Sequence, residues 1–220
     1  MTTRDSLPVM GFAGFGEQLV DFYDGLEADN SKAYWTDHKA VYDEQVKAPM
    51  TALLAELEPE FGRGKIFRPY RDVRFSADKT PYKTHCGAIV GGFYVQAGAD
   101  GIMIAGGYYQ MAGDQVARYR VAVDEERRGE DLRRRLTTLT KGGLTVAGDQ
   151  LATRPRGVDP GHPRLELLRH RSIYAWRRWP GEDLMLSPDL AGEVAAHWRR
   201  LTPLVEWLTD HVGPTDRPRR

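Results

Sequence analysis

The sequence predicts an α+β fold in which helices pack on one face of a mainly antiparallel sheet. Apolar residues recur at helical spacing before residue 60 and again after residue 113. Between them lie short runs with strand character, separated by turns too short for parallel crossovers. Because no repeat and no long linker interrupts the chain, we expect a single domain over 1–212. The Pro- and Arg-rich tail over 213–220 is expected to fray.

Two helical patterns open the chain. Apolar residues at helical spacing predict a first helix over 16–28. After a turn at residues 29–31, a long amphipathic pattern extends over 31–58. Pro49 lies inside that pattern, and it should kink or split the helix because proline lacks a backbone donor and clashes with the preceding turn.

Strands and helices then follow in blocks. The extended and strand-like segments are 65–69, 71–76, 82–90, 93–97, 102–109, 144–147 and 172–179. A turn is predicted over 76–81, and a tight hairpin turn at Ala99-Asp100-Gly101. Helical spacing returns over 114–126, 130–140 and 165–170, and in a last helix that Ser187-Pro188 opens and that Pro203 bends.

Composition excludes several classes of protein. The mean hydropathy of −0.53 and the lack of an apolar run near twenty residues argue against a membrane span. The single cysteine, Cys86, can form no intramolecular disulfide, and with no signal peptide at the N-terminus the sequence predicts a cytoplasmic protein. The histidines lack metal-binding spacing, and neither a CxxC pair nor a glycine-rich phosphate loop occurs. We therefore expect no metal and no cofactor.

The net charge of zero conceals a segregation of charge along the chain. Residues 1–60 carry 12 acids and 4 bases, a net of −8, whereas residues 61–123 carry 9 bases and 4 acids, a net of +5. The zero total weighs against a general nucleic-acid binder. The positive excess is concentrated in residues 63–83, which hold seven bases and two acids.

This basic segment is the predicted site, and its chemistry favours an anion. The ligand-binding candidates are Arg71, Arg74, Lys79, Tyr82 and Lys83. The arginines supply planar forks for phosphate or carboxylate, the lysines supply point charges, and the tyrosine supplies a hydroxyl donor or a stacking face.

Two acids of the same segment are the weak catalytic candidates. If 71–76 is a strand with Val73 and Phe75 toward the core, Asp72 and Arg74 share the opposite face. Asp72 or Asp78 then orients an arginine, or acts as a base if burial raises its pKa.

The stretch from Phe67 to Thr84, FRPYRDVRFSADKTPYKT, resembles the signature of an uncharacterised bacterial and fungal family known as domain of unknown function 2461. Three further stretches fit that family in order, at 30–39, 106–108 and 154–168, so the resemblance covers almost the whole chain. One departure is the aromatic pair Tyr34-Trp35, where the family has Trp-Phe. The resemblance implies a cytoplasmic α+β protein, supplies no activity, and adds Arg120 as a secondary ligand candidate at the family's helical arginine.

Three functions follow from these residues. The first is binding, with or without turnover, of a small anionic or phosphate-bearing ligand by the basic segment. The second is an interaction or scaffold protein in which the segment is a structural salt-bridge network, with its bases paired to the acidic helices of 1–60. The third, disfavoured by charge, is a nucleic-acid-binding module that stacks bases on Tyr70, Tyr82 and Phe93. The sequence specifies neither a reaction nor an oligomeric state.

Overall fold

Helices occupy both ends of the chain, and strands fill its middle. The computed structural model describes residues 11–74 and 76–216. Its helices are α1 (Leu19–Ala28), α2 (Lys32–Asp37), α3 (Lys39–Val41), a π-helical segment (Tyr42–Lys47), α4 (Ala48–Phe61), α5 (Gly113–Asp124), α6 (Glu126–Lys141), α7 (Leu165–Leu168) and α8 (Leu190–His211). Its strands are β1 (Lys65–Ile66), β2 (His85–Val90), β3 (Phe93–Gly98), β4 (Gly101–Tyr108), β5 (Thr145–Ala147) and β6 (Ile173–Trp179).

The described strands form one six-stranded sheet in the order β1-β2-β3-β4-β6-β5. The pairs β1–β2, β2–β3 and β5–β6 run antiparallel. A two-residue loop joins β3 to β4 at the predicted tight hairpin turn. Gly101, the first residue of β4, has a φ of +93°, which favours glycine. A Cβ at this position would also collide with the carbonyl oxygen of Trp179. The predicted α+β class with an antiparallel sheet is confirmed.

The chain divides into two compact units. Among the described residues, the first comprises 11–74, 76–103 and 178–195, and the second comprises 104–177 and 196–216. In the second unit, α5 bonds the segment that follows α8: Gln115 donates to Gly213 O over 2.8 Å, and Thr215 donates to Asp114 over 2.8 Å. The last four residues of the tail predicted to fray, 217–220, lie outside the described residues. The single domain over 1–212 stays a prediction.

The long helical pattern is interrupted before Pro49, not at it. The helix breaks at His38, and the π-helical segment leads into α4, where Pro49 occupies the first turn. Proline has no N–H to donate to Gln45 O, four residues back. That carbonyl instead accepts a hydrogen bond from Gly16 N over 3.0 Å. The missing helical bond is thereby replaced by a contact with the segment that precedes α1.

The extended segments around the basic motif are shorter than predicted. Only Lys65–Ile66 of 65–69 is a strand, and β2 begins at His85 instead of residue 82. The strand predicted over 71–76 is wrong for the described residues, because a turn closed by Ser76 N donating to Val73 O replaces it. Phe75 lies outside the described residues.

No helix in the described ranges is both long enough and apolar enough to span a bilayer.

Candidate functional site

Tyr82 connects the basic segment to the first helices of the chain. The side chain of Asn30 accepts a hydrogen bond from Tyr82 N over 2.9 Å and donates one to Tyr82 O over 3.2 Å. The Tyr82 ring is buried and stacks on Trp35 of α2, with centroids 4.6 Å apart and planes 9° apart. Two stretches that carry the family resemblance, 30–39 and 67–84, therefore meet at Tyr82.

The exchanged aromatic pair has separate tasks. Trp35 provides the stacking surface for Tyr82, whereas the Tyr34 ring stacks on His38 at 4.0 Å and its hydroxyl donates to Phe22 O over 3.0 Å. An indole is therefore used at the second position of the pair in this chain.

Backbone hydrogen bonds close the basic segment into a loop. Arg71 N donates to Pro81 O and Lys83 N donates to Pro69 O, both over 2.8 Å, on either side of a bridge between Tyr70 and Tyr82. The two ends of the loop therefore lie side by side, and the bond to Pro69 O fixes the backbone of Lys83.

Asp78 organises the interior of this loop. Its carboxylate accepts from Thr80 N over 2.9 Å and from the Thr80 hydroxyl over 2.8 Å. The guanidinium of Arg71 donates to both Asp78 and the Thr80 hydroxyl. These hydrogen bonds, those from Thr80 first and then that from Arg71, lower the pKa of Asp78 to about 2.

Asp72 and Arg74 form a second pair, as predicted, although through a turn and not along a strand. Arg74 Nε donates to Asp72 Oδ1 over 2.9 Å, and its terminal nitrogen donates to Oδ2 over 2.7 Å. The side-chain bond from Arg74 is the main cause that lowers the pKa of Asp72 to about 2. Neither Asp72 nor Asp78 has the raised pKa on which a base role depends.

The two lysines of the site donate to backbone carbonyls. Lys79 Nζ donates to Val73 O over 2.9 Å. Lys83 Nζ donates to Arg68 O over 3.0 Å and lies 5.2 Å from the centroid of the Phe67 ring. No carboxylate of the described residues forms an ion pair with Lys83 or Arg68, although the Arg68 charge is near enough to Asp72 to help lower the pKa of that carboxyl.

The surroundings of Lys83 are electropositive. Partial burial is the main cause that lowers its pKa, and the nearby Arg68 guanidinium lowers it further. His85, at the start of β2, has a lowered pKa because it is buried and because Lys83 and Arg178 lie close to it. The Lys83 ammonium therefore lies close to a second cation, the Arg68 guanidinium.

The ion pairs seen for Arg71 and Arg74 lie within the basic segment. Arg71 pairs with Asp78, and Arg74 pairs with Asp72. The pairing of the basic segment with the acidic helices stays a prediction. The contacts between the two regions run through Asn30, Trp35 and Tyr82.

Arg120, the secondary candidate, belongs to the second unit. It lies on α5, and its Nε donates to Leu168 O over 3.2 Å.

Of the three aromatic residues predicted to stack on bases in a nucleic-acid-binding module, Tyr82 and Phe93 are buried, and only Tyr70 is about half exposed.

The second unit contains a cleft of about 650 Å³ that no predicted site residue lines. Its wall includes the buried His170, whose pKa is lowered by burial. His170 Nδ1 donates to Ser172 O over 2.8 Å, which leaves Nε2 to accept from the amide of Gln150. Both ring nitrogens are thus used in holding the chain together.

Within the described ranges, no three His, Cys, Asp or Glu side chains come close enough to hold a metal ion.

Sequence reasoning missed Asn30, Arg68 and Phe67 as residues of the site. Asn30 is the only asparagine of the chain, which is a signal, but its bond to Tyr82 crosses 52 residues. Arg68 and Phe67 lie inside the basic segment, and no local sequence signal separates them from its other members.

Fold and site together define an α+β protein with an aromatic-anchored basic loop at one end of an antiparallel sheet. A family model described as a conserved hypothetical protein, DUF2461, matches residues 18–207. The chain belongs to this family. Neither the curated proteins nor the solved structures contain a significant match to the chain.

Proposed function

We propose that the protein binds a small anionic, phosphate-bearing ligand in its first unit, at Lys83 and Arg68. One observation carries this proposal: the ammonium of Lys83 is fixed by the Arg68 carbonyl, forms no ion pair with a carboxylate of the described residues, and lies near a second cation, the Arg68 guanidinium. A cation held in place and left uncompensated interacts more strongly with an incoming anion than a cation already paired.

The rest of the loop supports this role by positioning Lys83. Asn30 and Trp35 hold Tyr82, and the bond from Lys83 N to Pro69 O holds the next residue. Arg71 and Arg74, which the sequence offered as ligand contacts, pair with Asp78 and Asp72 within the loop. Lys79, also offered as a ligand contact, donates to the Val73 carbonyl. The ligand therefore meets a preformed site and loses little free energy in ordering it.

Isothermal titration calorimetry with pyrophosphate at low ionic strength tests the proposal. A hydrogen bond to a charged group contributes about 1.5–3 kcal/mol, so Lys83→Gln is expected to weaken binding by roughly 10- to 100-fold. Lys83→Arg keeps the charge and is expected to recover most of the affinity. Arg68→Gln should weaken binding in the same direction.

Two control variants make the result specific. Lys32→Gln removes an exposed charge from the start of α2 and should leave pyrophosphate affinity unchanged. Arg74→Gln removes a side chain that is 77% exposed and already engaged by Asp72, so its effect should stay within about twofold. Loss of binding in Arg74→Gln with normal binding in Lys83→Gln would contradict the proposed site.

The internal bonding of the loop also favours a second candidate, an interaction or scaffold protein in which the basic segment is structural. This candidate predicts that Arg71→Gln lowers the melting temperature because Asp78 and Thr80 lose their partner. It also predicts that pyrophosphate causes no thermal shift in the wild type. A shift that disappears in Lys83→Gln separates the anion-binding function from this alternative.

A further inference from the structure

The sheet face next to Lys83 carries an aromatic platform. Phe67 N donates to Gly87 O over 2.9 Å, which continues the register of β1 on β2 beyond Ile66. On the other side, Gly87 is opposite Gln96 of β3. Because directly opposite residues share a face, Phe67, Gly87 and Gln96 form one row across the strands.

Tyr94 lies across this row because Gly87 has no side chain. A Cβ on Gly87 would lie only 3.0 Å from Tyr94 Cζ and closer still to the hydroxyl oxygen. The hydroxyl passes over Gly87 and donates to Gln96 Oε1 over 2.9 Å. The Tyr94 and Phe67 rings lie side by side, with centroids 6.3 Å apart and planes 36° apart. The missing side chain at Gly87 therefore creates the platform.

On this face of the first unit Phe67 and Ile89 are exposed, Tyr94 is half-buried, and a charge lies at the edge. The alternate residues of β2, including Cys86 and Ala88, are buried on the opposite face, whereas Ile89 is 38% and Phe67 is 37% exposed. Lys83 Nζ lies over the Phe67 ring, 5.2 Å from its centroid, so the ammonium contacts this ring and its charge lies next to Tyr94 and Phe67. An apolar planar surface and a cationic group are thus presented side by side.

We propose that the ligand of this site is a free nucleoside phosphate, whose base stacks on Tyr94 and Phe67 while its phosphate binds Lys83 and Arg68. This inference rests on the proposed function and names its ligand class. Charge complementarity supports a small ligand, because the cations are few and local while the chain as a whole has no net charge. A nucleic acid strand instead calls for a basic stripe that follows its backbone.

Calorimetric titrations of the full chain with adenosine 5′-monophosphate, adenosine and inorganic phosphate test the inference. Stacking of one base on aromatic side chains strengthens binding by roughly 5- to 150-fold, so the monophosphate should bind tighter than phosphate by a factor in this range. Gly87→Ala, which displaces Tyr94, should reduce the affinity for the monophosphate to that for phosphate and leave phosphate binding unchanged. Lys83→Gln should weaken both.

Gly192→Ala is the matched control, because a Cβ there meets no atom within 4 Å. It should bind all three probes like the wild type. Tyr94→Leu removes the same ring by another route, with circular dichroism to verify folding, and should reproduce the effect of Gly87→Ala. If either variant keeps the full advantage of the monophosphate over phosphate, the platform has no part in binding.

The outcomes separate the two proposals. Phosphate binding that depends on Lys83, with no gain from the base, overturns the nucleotide inference and leaves the anion site standing. Absence of binding by every probe overturns both. Tighter binding of a short oligoadenylate than of the monophosphate, nucleotide for nucleotide, overturns the assignment to a free ligand.

Discussion

Asn30→Ala tests how the basic loop is held in place. The Asn30 side chain makes two hydrogen bonds to the backbone of Tyr82, at 2.9 and 3.2 Å, across 52 residues of sequence. Each such bond contributes about 0.5–1.5 kcal/mol net, so their joint loss is expected to cost about 1–3 kcal/mol of unfolding free energy. The Tyr82 ring keeps its stacking on Trp35, so the variant loses only the two hydrogen bonds of the Asn30 side chain.

Urea denaturation measures the total effect, and amide hydrogen exchange locates it. The Tyr82 amide loses its acceptor in Asn30→Ala, so its exchange should speed up along with that of Lys83. Lys32→Ala, an exposed change two residues away, should alter the unfolding free energy by less than about 0.5 kcal/mol. Pyrophosphate affinity should fall in Asn30→Ala, because Lys83 is then less well ordered.

A stability change below about 0.5 kcal/mol in Asn30→Ala, together with unchanged exchange at Tyr82, would refute this reasoning. The segment would then be held by the aromatic stack alone. Normal pyrophosphate binding in a destabilised variant would show instead that the Asn30–Tyr82 hydrogen bonds and the anion site are independent.

Two further predictions concern charge. Asp72 and Asp78 have pKa values of about 2 in the folded protein, below the ordinary 3.8. Their ionised forms therefore stabilise the fold fully above about pH 4, and this stabilisation is lost as the pH falls toward 2. In thermal melts, the melting temperature of the Asp72→Asn, Asp78→Asn double variant should depend less on pH over this range than that of the wild type. In the second unit, Arg164 is buried and donates to two backbone carbonyls over 2.8 Å and to a glutamate, so Arg164→Ala should cost about 2–4 kcal/mol in urea denaturation. The exposed Arg134→Ala is its control and should change stability by less than about 1 kcal/mol.

Local patterns were sufficient to predict most of the elements. Helical spacing located α1, α5, α6 and α8, and the two-residue hairpin was visible in Ala99-Asp100-Gly101 because that turn has a local chemical signature. The interruption of the long helix was predicted through Pro49. Its position and form were not predicted, because the helix breaks at His38 and a π-helical segment precedes Pro49. The carbonyl that proline leaves unpaired, Gln45 O, accepts from a distant donor, Gly16 N, which no local pattern reveals.

The strand expected over 71–76 shows how side chains override a pattern. Alternating residue types suggested a strand, but the carboxylates of Asp72 and Asp78 accept hydrogen bonds from the backbone nitrogens of Arg74 and Thr80 and turn the chain. Such local competition between side chain and backbone is not visible in hydrophobic alternation.

The sequence indicated the segment that holds the candidate site, and the structure shows which of its cations have a carboxylate partner. The density of basic residues identified the segment, but which cations are neutralised depends on the turn geometry. Arg71 and Arg74 each have a carboxylate within the loop, whereas Lys83 has a carbonyl and a ring. The role of Gly87 also needed the sheet register, since only the register brings Tyr94 over it.

The ionisation of Lys83 tests the central claim most directly. Burial and Arg68 lower its pKa in the free protein, and a bound anion would favour the charged ammonium and raise that pKa. The measurement is an NMR titration of the Lys83 Cε resonance with and without saturating pyrophosphate. We predict a higher pKa for Lys83 in the presence of pyrophosphate than in its absence. An unchanged Lys83 pKa at saturation would contradict an anion site at this residue.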